Sequence, residues 1–313
     1  MEPGKRSRQR RERIDIIAEW SRSGVLEERR RLPIEDQFAQ RVSRAGSRFF
    51  VPLPLTYSDD RWYNTQVSLL LEALDALPRR PDHAFDSVWK VLENTADTWT
   101  RQNAGRRNIT HSLGRASADP RLSGPVTEAL LADVPTQTCE YLFKRLIVGE
   151  PEASSRSARR RISDGYGPGD PLRTEIATFL PLVEDIFATR DPDTARRGAS
   201  LLRRALRGES LTLADTPLTL SLPARLRILL CGLLYTARNE RYHGESFSPF
   251  YSSTASLKTY THPHYLFLAS YALVHLLWAH GGHAYAPSLD AVEENTVLNL
   301  GEARTLYARH WTG

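Results

Sequence analysis

The chain is poor in several residue types. It carries two cysteines (Cys139 and Cys231), one methionine and four lysines (Lys5, Lys90, Lys144 and Lys258) in 313 residues. Two cysteines exclude a disulfide framework and a zinc ribbon, and because each lies in an apolar helical pattern both are expected in the core of a reduced protein. Long apolar runs are missing too. The longest, Tyr265 to Ala279, is too short to cross a bilayer and contains His275, so it is expected to be a buried helix and no membrane association is predicted. The basic opening MEPGKRSRQRRER has no apolar signal core, which points to a cytoplasmic protein. Walker A, dinucleotide-binding glycine, nucleophile-elbow, HExxH and kinase signatures are all absent from the sequence, and with them the chemistries they carry. His275, His280 and His283 have no carboxylate or cysteine at ligand spacing, so neither metal nor cofactor is expected.

What is present is arginine, which supplies nearly all of the 42 basic side chains. The net charge of +5 and pI near 9.3 permit binding to a polyanion, although coding composition alone also produces such an excess. A hydrophobic share of 41% in 313 residues suffices for one large or two ordinary domains.

Periodicity divides the chain into helices. Residues 1–48 read as a charged, partly ordered arm with an amphipathic stretch at Ile14, Ile16, Ile17 and Trp20. Residues 49–153 form an N-terminal helical region. In it Arg61 to Leu77, capped by Ser58 or Asp59 and striped by Trp62, Val67, Leu70, Leu71 and Leu74, pairs antiparallel with His83 to Trp99, whose Phe85, Val88, Trp89, Val91 and Leu92 are expected inward. The 105–124 stretch reads as loop or broken helix, and Val126 to Val148 as a helical region split at Pro135. Residues 154–171 are the expected linker. Helices then follow at Leu172 to Ala188, Asp193 to Arg207, Ser221 to Gly244, His264 to His280 and about Leu289 to His310, with at most a small ribbon in LTLADTPLTLSL. The predicted fold is an all-α helical bundle with boundaries at 165–285 and 286–313.

The stretch SLPARLRILLCGLLYTARNERYHG, Ser221 to Gly244, concentrates the chemistry. Ser221 suits an N-cap, Pro223 the first turn and Gly244 a C-terminal stop. Leu226, Leu229, Leu230, Leu233, Leu234 and Ala237 recur at helical steps and predict one broad buried face. The last turn then gathers a guanidinium, an amide, a carboxylate and an imidazole in RNERYH. At about 100° per residue Arg238 lies about 140° round from His243, so a joint site requires unwinding near Gly244 or a second copy of the helix.

Arg238, Asn239, His243 and Gly244, on an apolar helix followed by another, resemble the Arg-x4-His signature of the HEPN superfamily. The resemblance covers about 120 residues by ordinary domain size. It implies a metal-independent endoribonuclease acting on single-stranded RNA, a homodimer with two motif helices across a twofold, a toxin-like or antiviral defence role, and an antitoxin or regulatory protein partner. Arg238, Asn239 and His243 would be its catalytic residues. His243 suits acid or base work, Arg238 a phosphate, and Asn239 the orientation of His243 or a phosphate oxygen. A non-catalytic module of the same type, binding nucleotide, RNA or protein, is the alternative, and a solvated helix cap is the plainer one.

Arg241, Lys258, Tyr251 and Tyr260 are further candidate RNA contacts, the aromatics by stacking bases, although anchoring the 245–263 loop in the core is the simpler role for them. Glu240 and Arg241 are expected to pair across the helix or with neighbours. Arg156, Arg159, Arg160 and Arg161 suit either a phosphate backbone or solvent. Arg106 and His111 repeat the spacing and form a possible second motif, with the asparagine after Arg107 instead.

Overall fold

The computed structural model of the chain describes residues 11–18, 31–46, 48–104, 109–148, 152–163, 171–187, 192–213, 215–244, 248–252 and 254–312. Its elements are α1 (11–18), α2 (Pro33–Arg44), α3 (Arg61–Asp75), α4 (Pro81–Ala104), α5 (Ile109–Ala118), α6 (Pro125–Ala132), α7 (Thr136–Phe143), α8 (Glu152–Ser163), α9 (Pro171–Ile186) and α10 (Pro192–Leu206). A hairpin of β1 (Leu211–Leu213) and β2 (Thr216–Leu218) follows. Then come α11 (Leu222–Arg227), α12 (Tyr235–Tyr242), α13 (Leu257–Gly281), α14 (Leu289–Tyr307) and α15 (Arg309–Thr312). The fold is all-α, and the hairpin pairs antiparallel with Leu211 opposite Leu218.

The molecule is built on α13 and α4. Helix α13 is apolar round its whole circumference, which only an interior position satisfies, and every residue from His264 to Trp278 is buried. Ser256 and Thr259 close a capping box at its start, and Gly282 at φ 68° ends it in the left-handed conformation that glycine adopts without strain. Its partner α4 turns Phe85, Val88, Trp89, Val91 and Leu92 inward, all fully buried, as the periodicity predicts. Across this pair Trp278 Nε1 donates to Thr95 Oγ1 at 3.1 Å, which meets the one polar need of a buried indole.

Several expectations are corrected by long-range packing. The 1–48 region contains α2, whose Phe38 is in the core and stacks on Tyr260 at 3.7 Å. Within α1 only Ile16 is buried while Ile14 and Ile17 are exposed, and Trp20 lies outside the described residues. The cap of α3 is Asp60, which accepts from the Tyr63 amide at 2.6 Å. The buried stripe of α3 is Tyr63, Gln66, Leu70 and Ala73, leaving Leu71 exposed, because α4 meets the helix on a face one position round. The 105–124 stretch contains α5, and the expected linker contains α8, whose Ala158 and Ile162 are buried. Pro135 does divide α6 from α7, standing as the N-cap of the latter. Helix α13 begins at Leu257, so Lys258 and Tyr260 belong to a helix rather than a loop.

One cluster of buried side chains runs from Phe38 to Trp311, crossing every boundary read from the sequence. Both cysteines are free and buried, and burial pushes the Cys139 thiol up to about 12.

Candidate functional site

Residues Leu222–Arg227, Ile228–Leu234 and Tyr235–Tyr242 form one continuous rod, the middle seven residues wound as a π-helix. Ser221 caps it, its Oγ accepting from the Ala224 amide at 3.4 Å and donating to Glu175 Oε2 at 2.8 Å. Gly244 takes φ 68° after the last turn. These terminal signals are local chemistry and act as the sequence predicts. The burial does not: Ala224 to Leu234 is buried on all sides, Arg225 and Arg227 included, rather than along one face. The two guanidinium groups are accommodated by Arg225 Nη1 on the Leu206 carbonyl at 3.3 Å and Arg227 Nε on Ser117 Oγ at 3.3 Å. Gly232 allows the close approach of α8, since a Cβ there would meet Ile162 Cδ1 at 2.6 Å.

Beyond Leu234 the rod emerges and its polar residues divide. Glu240 is buried and points inward, accepting from Arg145 Nε at 2.7 Å, Arg145 Nη2 at 2.8 Å and the Tyr141 hydroxyl at 2.9 Å. The Arg145 guanidinium in turn lies 4.0 Å from the Tyr141 ring centroid. Arg241 makes a second bidentate pair with Asp86 of α4, at 2.7 and 2.6 Å, and its Nη2 lies 3.3 Å from Asp82 Oδ2. Glu240 and Arg241 thus pair with neighbours on other elements, one of the two arrangements expected for them. Arg241 as an RNA contact is disfavoured, because two carboxylates already fill its fork.

Arg238 is partly buried. Its Nη1 donates to Asn239 Oδ1 at 3.0 Å, its Nη2 reaches Glu93 Oε2 at 3.5 Å, and its Nε has no hydrogen-bond partner among the described residues. The guanidinium lies 4.4 Å from the Tyr242 ring centroid, one turn on, and 6.0 Å from that of Tyr235. The other side of this arrangement is Arg161, 5.0 Å from the Tyr235 ring and hydrogen-bonded to Thr236 Oγ1 at 2.7 Å. Asn239 thus orients Arg238, not His243. His243 forms the C-cap, with its amide on the Asn239 carbonyl at 3.0 Å and its exposed imidazole in no hydrogen bond, ion pair or ring contact among the described residues. The rod therefore presents a braced guanidinium, a half-exposed tyrosine ring and an open imidazole at its end, and no bond within the chain joins Arg238 to His243.

The remaining candidates scatter. Tyr260 is buried between Phe38 and Phe250, at 3.7 and 4.1 Å, which is core anchoring. Tyr251 is half-buried under Arg80, at 5.5 Å. Lys258 lies 3.9 Å from Glu140 in the first turn of α13. Of the second motif, Arg106 lies outside the described residues, and His111 is half-buried in α5. Arg156 lies outside the described side chains; Arg159 pairs with Glu184 at 2.7 Å, and Arg160 is exposed.

Sequence reasoning missed Glu93, Trp89, Asp86, Arg145 and Tyr141, which hold the motif from α4, α7 and the turn after it. Trp89 Nε1 donates to the same Glu93 oxygen that faces Arg238, at 2.9 Å, so the carboxylate is held from both sides. No motif spacing signals these residues, and only the helical step from Trp89 to Glu93 hints at one link among them. Among the described residues no group of three or more His, Cys, Asp or Glu could hold a metal ion, and no helix is long and apolar enough to cross a membrane.

Compared with protein-family models, curated proteins and solved structures, the chain matches none of them.

Proposed function

We propose that the chain is a metal-independent endoribonuclease of HEPN type that cleaves single-stranded RNA through its own 2′-hydroxyls. In that reaction the 2′-oxygen attacks phosphorus as its proton passes to a base, and the 5′-oxygen leaves with a proton from an acid. The products are a 2′,3′-cyclic phosphate and a 5′-hydroxyl end. His243 supplies proton transfer, and Arg238 supplies positive charge beside the phosphorane. The observation that carries this reading is the pairing of an unengaged, solvent-facing imidazole at a helix C-terminus with an arginine braced one turn earlier on the same rod. A second copy of the rod end, related by a twofold, would complete each phosphate site with the group that one helix aims away. A toxin or defence role, with an antitoxin or other regulatory protein partner, belongs to the same proposal.

The test is cleavage of a single-stranded RNA by the purified protein in EDTA. Expected are cyclic-phosphate ends, no cutting of a 2′-deoxy substrate, and loss of activity in Arg238→Ala and in His243→Ala. Cutting that survives both substitutions would remove the proposal. A second reading, a non-catalytic module that holds RNA, nucleotide or a protein, is favoured by the contacts of Arg238 with Asn239 and Glu93. RNA binding that depends on Arg238 with no product at any enzyme concentration would establish it instead.

A further inference from the structure

Helix α10 carries its charge on one side only. Arg196, Arg197, Arg203 and Arg204, with Arg207 just past the helix end, fall within an arc of about 120° and run over about 16 Å of the axis. The opposite arc, Ala195, Ala199, Leu202, Ala205 and Leu206, is buried. Two carboxylates flank the ridge. Asp193 lies 3.9 Å from Arg196, with side chains 82% and 79% exposed, and half-exposed Glu209 accepts from Arg204 Nε at 2.7 Å. Cations remain available all the same. Arg197 is exposed and in no hydrogen bond or ion pair among the described residues. Arg207 uses only Nε, on the Ala132 carbonyl at 3.0 Å, which leaves both Nη groups without a partner among the described residues. Arg203 Nε donates to the Val134 carbonyl at 3.1 Å, so the connection from α6 to α7 holds Arg203 and Arg207 side by side. Like charges at this spacing destabilise a helix, and burial followed by the charge of Arg207 holds the Arg203 guanidinium below its usual value. A cation in the last turn suits the helix dipole, but Arg196 and Arg197 stand in the first half, where the dipole gives them nothing. No exposed aromatic or large aliphatic side chain lies among the described residues of α10.

We infer that the α10 ridge docks on the phosphate backbone of double-stranded nucleic acid, without sequence preference. Guanidinium forks suit phosphate oxygens, and a rigid row of them suits the closely spaced charges of a duplex. Single strands are held in large part by stacking bases on aromatic rings, and α10 offers none. A membrane surface would require an apolar face to sink among the lipids, and that face of α10 is already in the core. The ion pairs on the ridge are exposed and therefore weak, so phosphates displace Asp193 and Glu209 readily. The inference is independent of the ribonuclease reading, and its test requires no cleavage.

The test is fluorescence anisotropy of the full chain with a labelled, mixed-sequence DNA duplex, since a backbone contact does not need the 2′-hydroxyl. Binding at about 1–100 µM is expected at physiological salt, with log affinity falling against log salt at a slope of about −3 to −4. Arg196→Glu combined with Arg197→Glu should weaken binding by about tenfold or more and flatten the slope by about two. Arg44→Glu combined with Arg61→Glu makes the same charge change at exposed positions of α2 and α3, and should weaken binding less than about threefold. Circular dichroism melts show which variants are folded. Arg197→Gln, at an unpartnered position, replaces the α10 double variant if that one unfolds, and should flatten the slope by about one. The inference is overturned if no duplex binds at low salt, if the folded α10 variant binds like the parent, or if the α2 and α3 changes weaken binding as much. It is also overturned if the α10 variant weakens a single strand more than the duplex. Phosphatidylserine vesicles or polyglutamate binding as tightly as the duplex would overturn it too, since the ridge would then attract any polyanion.

Discussion

Glu240 and Arg145 face each other as a bidentate pair, at 2.7 and 2.8 Å, with the carboxylate buried and the guanidinium partly solvated. The pair fastens the motif rod to the turn that follows α7. Replacing Glu240 by Ala strands Arg145 and the Tyr141 hydroxyl together. The expected cost is about 2–3 kcal/mol, under the range for fully buried pairs because Arg145 keeps some water. Urea unfolding should show it, and the melting temperature should fall by about 3–5 °C.

Under the ribonuclease proposal, Glu93 competes with RNA for Arg238. The pair is long, 3.5 Å, and both side chains are partly exposed, so it is worth at most about 1 kcal/mol. Under the ribonuclease proposal, Glu93→Gln frees the guanidinium while keeping an acceptor for the Trp89 indole. Fluorescence anisotropy should then show single-stranded RNA bound about two- to fivefold more tightly, with a steeper salt dependence. An unchanged affinity would mean that Arg238 does not meet the phosphate.

His264 predicts acid lability. It is fully buried among Phe49, Phe267 and Tyr307, neither ring nitrogen has a partner among the described residues, and burial holds it down at about 3. His275 is held at about 4 chiefly by burial, partly offset by its hydrogen bond to the Tyr271 carbonyl. Below the unfolded value of about 6.5 the unfolded chain gains protons that the folded chain refuses, so stability falls as pH drops toward 4. Each histidine contributes a slope of about 1.4 kcal/mol per pH unit in that window. His264→Phe should remove one such slope and raise stability at pH 5 more than at pH 7, as urea titrations at the two pH values would register.

Gly198 of α10 packs under Phe143, and a Cβ there would meet the ring at 2.1 Å. Alanine normally favours a helix by about 0.5–1 kcal/mol over glycine. Here overpacking against a buried ring costs about 1–3 kcal/mol, so clash wins and Gly198→Ala should destabilise. A thermal melt higher than that of the parent would show that α7 and α10 can part at no cost.

Local chemistry was legible in the chain, and pairing across distance was not. Ser221, Pro223 and Gly244 set the ends of the motif rod by their own backbone preferences, and Phe85, Val88 and Trp89 named the inner face of α4 by period alone. The partners of Arg238 and Arg241 lie 145 and 155 residues away, on a helix whose exposed side carries no motif. Nor could Asn239 be assigned: its amide suits an imidazole or a guanidinium equally, and only the packed rod decides for Arg238. The 154–171 stretch reads as linker by composition, yet Ala158 and Ile162 meet a complementary surface that includes the opening at Gly232. Tertiary burial overrides composition there.

The seven π-wound residues, Ile228–Leu234, carry no chemistry of their own. Each of their backbone bonds reaches one residue further than in an α-helix, so everything downstream lags in angular phase. That lag decides which compass bearing each of the last six side chains takes, sending Glu240 toward Arg145 and Arg238 toward Glu93. Deleting a single apolar residue from this span would leave the Arg238-to-His243 interval untouched while removing the extra residue that the π-winding accommodates, so the span could rewind as an ordinary α-helix. The aim of the tip is therefore written upstream, in a stretch that looks like mere filling.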